Sequence, residues 1–374
     1  EATVCMLIPS LIVWIFLNSF FITMWPNVFP KWAEEYTKGM GLISIQNRSS
    51  LRVWFPLQIG FALAASVFIS FKGRKTIYRL FMEAISRKEE KSELPPMSIA
   101  IIGWLVTTSM SIIIFHVFIP EIPLWIPILY GIGLSFFVSI ILSSAVGEVG
   151  IAPGAVISSL SQAWYPLVYS TPYEGYAGFS FTPPLTGVRS GIFSRSVKAA
   201  YMVGAKPIDL IKIWIIGGSL AQIIGLIMLD FMWRIAPIPS SAYPYSIFAV
   251  IGQTYTDAIV ATRQLNFSVE NLLIPIVVVF VIMFVGDFLA SRKGIFFSAL
   301  GFLMGLYAMP YNALAFFIGS AVGRFVMPRF FGGRRGWNQS RGYVVAGYLS
   351  GEGLIMMLAT CITMIYKASW LWPW

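Results

Sequence analysis

Unbroken apolar runs about as long as a helix needs to cross a bilayer, roughly 20 residues, dominate this chain. Six are plain, at residues 4–24, 54–71, 97–119, 124–145, 272–289 and 342–364. A seventh, 210–233, carries Asp209, Lys212 and Asp230 near its ends. The runs are continuous rather than alternating, which points to helices and away from the strands of a barrel. Composition agrees: 57% of the 374 residues are apolar and 11% are charged, at a mean hydropathy of +0.77. Soluble domains carry roughly 25% charged residues, so a soluble single-core enzyme is excluded. The expected fold is an all-α polytopic membrane protein with a wealth of interfacial aromatics, 13 Trp, 16 Tyr and 30 Phe, of the kind that line both bilayer surfaces.

Charge sets orientation. The loop at 72–96 carries seven basic residues against four glutamates and marks the cytoplasmic side, because Lys and Arg collect in cytoplasmic loops. The N-terminus is then inside and segment 25–50 outside, with the Glu121–Pro123 turn outside as well. The net charge of +10 follows from the same bias and does not call for a nucleic-acid partner. Of three Asn-x-Ser sequons, Asn47 falls in an outer loop, whereas Asn266 and Asn338 are assigned to cytoplasmic ones. Glu1 in place of Met suggests a processed chain or the downstream part of a longer one.

Three segments resist an up-and-down count. Residues 151–170 lack charges but contain Pro153, Gly154 and Pro166, and a simple crossing there would export Arg189, Arg195, Lys198 and Lys206. Crossing at 241–262 would likewise export Arg292 and Lys293. Segment 294–327 would make a helix of roughly 50 Å, too long for one crossing, and Met309–Pro310 breaks it. Two half-helices entering and leaving on one side keep Arg292, Lys293 and the 329–341 loop together in the cytoplasm. About seven full spans plus two or three re-entrant or interrupted helices result. The organisation is a four-span part at 1–145, a loop and re-entrant segment at 146–206, and a C-terminal helical part at 207–374. Broken, Gly/Pro-rich helices mark transporter binding sites, although Pro and Gly are also frequent in membrane helices generally.

A charge at mid-helix costs at least ~2.5–3.5 kcal/mol, so the few present are informative. Glu352 sits mid-span in GYLSGEGL, between Gly351 and Gly353. Low dielectric favours the protonated form of a carboxylate, which makes this residue either a proton carrier or one end of a helix–helix hydrogen bond. Glu148, in SSAVGEVG, ends the fourth span beside a suspected re-entrant element, with the same two readings open. Asp287 is near enough to Arg292 and Lys293 to pair with them, Asp230 is placed to pair with Arg234, and His116 fits an interfacial histidine. Cys5 and Cys361 form no CxxC motif. The single histidine makes a bis-histidine haem or a His-rich metal centre implausible, so no built-in cofactor is expected. Hydrolase, P-loop and dinucleotide motifs are missing, which leaves secondary or partner-powered transport and no catalytic residues.

Three ordered stretches resemble the oligopeptide transporter superfamily, which includes the yellow-stripe-like metal-chelate transporters, and more closely its prokaryotic and archaeal branch. They are VKAAYMVGAKPIDLIKIWIIGGSLAQIIGLIML (197–229), the segment 294–323 with GLYAMPYNALAFFIGSAVG, and RGYVVAGYLSGEGL (341–354). SSAVGEVG is similar to the family's Arg-Ala-Glu-x-Gly junction, with Ser143 or Ser144 where an arginine is expected. The likeness covers roughly 100–365 and corresponds to the family's C-terminal portion. It implies proton-coupled uptake of small peptides or metal–chelate complexes across the cell membrane. Glu352, Tyr201, Pro310 and the half-helix glycines around it match motif positions, and Asn312, polar and just past the break, joins them on its own chemistry. Missing N-terminal spans imply a homo-oligomer or a partner chain that supplies them. The competing reading is a non-transporting membrane subunit that anchors or seals a larger complex.

Overall fold

The computed structural model describes residues 2–86, 97–150, 154–180, 189–240, 243–265 and 267–371. The regular elements among them are helical. Eight helices are long and apolar enough to cross a membrane. Seven coincide with the expected spans: α1 (Ala2–Thr23), α2 (Ser44–Arg79), α3 (Ser98–Phe118), α4 (Trp125–Glu148), α8 (Pro207–Ile235), α10 (Glu270–Lys293) and α13 (Arg334–Tyr366). Shorter helices lie between them: α5 (Gly154–Gln162), α6 (Trp164–Tyr169), α7 (Ser190–Met202), α9 (Pro244–Ala261) and α11 (Ala299–Tyr307). The eighth spanning helix, α12 (Pro310–Phe330), is the second half of the interrupted element. Residues 87–96 of the basic loop lie outside the described residues, and its first part continues α2 as helix to Ser86. The chain divides into two compact units, residues 1–213 with 256–313, and residues 214–255 with 314–374.

In the first unit α2 is the hub. It runs antiparallel to α1, with Trp14 and Trp54 in ring contact at 5.6 Å. Beside it α10 runs parallel, and the register shows at three levels. A side chain on Gly60 would meet Pro275 at 2.6 Å, Phe68 meets Phe280 edge to face, and Lys72 Nζ bonds Asp287 Oδ1 at 2.5 Å. Asp287 therefore pairs across to Lys72, 215 residues away, not with the Arg292 and Lys293 of its own helix. Asp230 does pair with Arg234, at 2.8 Å, and His116 Nδ1 is buried with no hydrogen-bond partner.

The uncharged 151–170 segment crosses the bundle. Its first residues, 151–153, lie outside the described residues. From near the Glu148 end of α4 the chain passes as α5 and α6 toward the Trp125 end of that helix. Tyr130 Oη donates to Ser161 O at 3.0 Å, and the Trp164 ring meets Phe115 and Tyr130. Trp164 Nε1 donates to Gly178 O at 2.7 Å, and Gly178 lies against Ile122 of the outer turn. Ser190 Oγ bonds Ser139 O at mid-height of α4, and a side chain on Gly191 would collide with Leu142 O at 2.6 Å. From there α7 runs parallel to α4 and carries Arg195 and Lys198 toward the Glu148 end of that helix. These basic residues therefore lie at the opposite end of α4 from the Trp164–Tyr130 contact.

The outer end is pinned by Arg263. Its guanidinium donates to the carbonyls of Tyr169 (3.2 Å), Thr171 (2.8 Å) and Tyr173 (2.6 Å). Arg263 N bonds Val260 O and Gln264 N bonds Ile259 O, the bond pair of a Schellman cap. Arg263 sits at its left-handed position with φ 54°. The same cap closes α7 with Gly204 at φ 74°, the residue such a position favours. Arg263 and Leu265 thus lie with the 169–173 turn, at the end of the unit that also holds the Glu121–Pro123 turn. Asn266 itself lies outside the described residues.

In the second unit, no residue of the most apolar windows of α8 and α13 is buried. Gly217 and Gly218 on α8, and Gly347, Gly351 and Gly353 on α13, have nothing within 4 Å of where a side chain would begin. The expected 329–341 loop is mostly helix. A tight turn through Gly332 (φ 68°) and Gly333 (φ 96°) leads straight into Arg334.

Candidate functional site

Helix α11 is nine residues long and buried at every position but Phe302. Ser298 starts it: its Oγ accepts from Gly301 N at 2.9 Å, an N-cap bond. The same hydroxyl donates to Glu148 Oε1 at 2.6 Å. Glu148 thus closes the positive end of α11, where a carboxylate is favoured by the helix dipole.

The helix lies parallel to α1 in a close small-residue contact. Gly301 and Gly305 form a GxxxG pair, the spacing that brings membrane helices together. A side chain on Gly301 would meet Ala2 O at 2.9 Å, and one on Gly305 would overlap the Met6 carbonyl. Their facing carbonyls leave room for hydrogen only.

Level with Ser10 of α1 the helix stops. Ala308 turns extended, with ψ 132°, and Met309 precedes Pro310, whose ring disfavours helical backbone in the residue before it. An unwound turn among membrane helices leaves carbonyls to be satisfied; one side chain answers at the break, and a second ties the end of α11 to α2. Buried Ser10 Oγ donates to Ala308 O at 2.6 Å, and Tyr307 Oη donates to Gln58 O on α2. Pro310 then opens α12. The break offers two poles: the carbonyl end of α11, partly negative, and the first turn of α12, partly positive. In that first turn Pro310 has no N–H, and those of Tyr311 and Asn312 have no carbonyl of their own helix to bond.

Of the residues expected to carry function, three meet at this element. Glu148 is at its N-terminal end, and Pro310 and Asn312 are at its break, Asn312 exposed. Tyr201 is elsewhere, half exposed near the end of α7. Glu352 is on α13 in the second unit and exposed there. Sequence reasoning passed over Ser298, Tyr307 and Ser10, and took the half-helix glycines only as motif matches, not as a contact with α1. Ser298 ahead of an apolar run is a helix-start signal, and Gly301-xxx-Gly305 is a readable motif; Ser10 and Tyr307 carry no such mark. Among the described residues no three His, Cys, Asp or Glu side chains group as a metal site.

The sequence profile of the family described as OPT oligopeptide transporter protein matches residues 1–363. The match takes in the first hundred residues, which hold none of the three motifs. Comparisons with curated proteins and with solved structures gave no match.

Proposed function

Since the chain belongs to the OPT oligopeptide transporter family, as the match over residues 1–363 shows, and is a multi-pass membrane protein, we propose that it is a proton-coupled symporter of small peptides or metal–chelate complexes in the cell membrane. The observation that carries this reading is the buried half-helix α11 ending at a satisfied break level with Ser10 of α1. Transporter sites are built at such discontinuities, where half-helix ends face the substrate. A small peptide is a zwitterion, and the two poles at the break suit its two ends. The α11 carbonyl end takes the ammonium, and the first turn of α12 with Asn312 takes the carboxylate.

Coupling is assigned to Glu352. It is the one acidic residue in 314–374, it lies far from either end of α13, and Gly351 and Gly353 let another backbone approach it. Glu148, hydrogen-bonded to Ser298, is the second carboxylate of the proton pathway, and Tyr201 keeps its motif role at the cytoplasmic end of α7. The bare glycine faces of α8 and α13 support assembly with further helices, from a second copy or from a partner chain.

The test is uptake into proteoliposomes from a panel of di- and tripeptides and metal chelates, with and without an inward proton gradient. Concentrative uptake of one class with the gradient is expected, and loss of it in Glu352→Gln with gradient-free exchange retained. Failure of every substrate with well-reconstituted protein would overturn the transport reading. Gradient-driven uptake by Glu352→Gln at the unmodified rate would end the coupling assignment alone.

A further inference from the structure

Within the second unit, the end of α12 and the start of α13 enclose a cleft of about 420 Å³. Its polar lining is all donors of hydrogen bonds or positive charge: Arg324, Arg334, Arg341, Asn338, Ser320 and the indole of Trp337. Arg334, Trp337, Asn338 and Arg341 follow the i, i+3, i+4, i+7 spacing of one helix face. Ser320 and Arg324 face them from the other helix, where a π-helical turn at Val322–Val326, a feature frequent at functional sites, displaces the regular backbone.

The cleft is held in shape. Trp337 rests on the Phe331 ring at 5.1 Å, Trp337 N bonds Gly333 O at 3.0 Å and Gly333 N bonds Pro328 O at 2.8 Å. Any side chain on Gly336 would overlap the Phe331 carbonyl.

The sequence around it is strongly basic. Five arginines fall between residues 324 and 341, and no Asp or Glu occurs from 314 to 351. Arg334 and Arg341 make no ion pair among the described residues. The first turn of α13 carries no acidic residue and two arginines, so the helix dipole opposes the charges placed there. An anion in the cleft answers both the mutual repulsion and the dipole.

Depth and flank identify its source. The cleft lies where the spans Pro310–Phe330 and Arg334–Tyr366 end, the level of the headgroups. The arginine run assigns that end to the cytoplasmic leaflet, whose lipids are anionic. Exposed Phe325, Val344, Val345 and Tyr348 form an apolar flank alongside for acyl chains. We propose that this cleft binds the phosphate of an anionic phospholipid of the cytoplasmic leaflet, with guanidinium forks as its ligands.

The full chain, delipidated in detergent, tests this by native mass spectrometry and thermal shift against phosphatidylglycerol, phosphatidylcholine and inorganic phosphate. Phosphatidylglycerol is expected to bind and stabilise, phosphatidylcholine to do so far less, and inorganic phosphate alone not to reproduce the effect. Each arginine removed should weaken phosphatidylglycerol about fivefold, so Arg334→Gln with Arg341→Gln should weaken it roughly 25-fold. The control pair Lys75→Gln with Arg292→Gln, which removes two positive charges outside the cleft lining, should change it far less. If the double variant does not fold, Arg341→Gln alone is read against the fivefold expectation. Unchanged affinity in the arginine variants, an equal loss in the control pair, or full stabilisation by inorganic phosphate would each overturn the lipid site.

Discussion

Arg263 holds a left-handed backbone conformation that costs a residue with a side chain roughly 1–2 kcal/mol, in a cap that α7 closes with glycine. Something must offset that cost, and the three carbonyl bonds at 2.6–3.2 Å do. Bonds from a charged donor are worth about 1.5–3 kcal/mol each. One of the three is exposed and easily replaced by water. Truncation to alanine should therefore remove about 3–6 kcal/mol, keeping the strain and losing the bonds. Glycine loses the same bonds but sheds the strain, so Arg263→Gly should be more stable than Arg263→Ala by about 1 kcal/mol. Arg263→Lys keeps the charge but lacks the fork that bridges several carbonyls, and should fall between wild type and the glycine variant. Equilibrium unfolding in one detergent gives the order, and hydrogen exchange of the amides at 169–173 and 263–265 reports the local effect. An alanine variant within 0.5 kcal/mol of wild type, or one equal to the glycine variant, would refute the trade of strain for hydrogen bonds.

Three further outcomes follow from the geometry. Gly305→Leu drives a branched side chain into the Met6 carbonyl and should cost 2 kcal/mol or more, roughly the overpacking range, with loss of uptake; a well-folded, fully active variant contradicts the α1–α11 contact. Ser298→Ala removes both the cap of α11 and the bond to Glu148; about 1 kcal/mol of stability should go, and Ser298→Thr should restore it in thermal unfolding. Single cysteines at Lys75 and Arg335 should both label from the cytoplasmic side; labelling from opposite faces would defeat the same-side reading of the 294–327 element.

How much was legible depended on the kind of signal. Spans could be read because twenty apolar residues are a local property, and the break at Met309–Pro310 because proline acts on its neighbour. The course of 151–170 could not. Pro153 and Pro166 mark interruptions but carry no direction, and nothing local to Arg195 and Lys198 says which end of α4 they lie beside. Lys72 and Asp287 illustrate the other gap: nothing in either neighbourhood names a partner 215 residues distant, whereas Arg292 and Lys293 are conspicuous and close. At the candidate site, Glu148 and Pro310 stood out as a charge and a helix breaker in apolar surroundings. Ser10 and Tyr307 matter only because the unwound carbonyl of Ala308 and the backbone of Gln58 come within their reach, which is a fact of packing.

The pairing of α1 with α11 also constrains how the protein is made. Ser10 and Ala308 are 298 positions apart. At a synthesis rate of about 5–20 residues per second, the ribosome reaches the second roughly 15–60 s after the first. For that interval the Ala2, Met6 and Ser10 face of α1 has no permanent neighbour and must rest against lipid or a transient companion. Nine residues are too few to insert as an independent span, so α11 enters the membrane only by docking on helices already there. Assembly of the transport element is therefore a late, post-insertion event, and α1 is fully packed only after the 298 residues that separate Ser10 from Ala308 have been made.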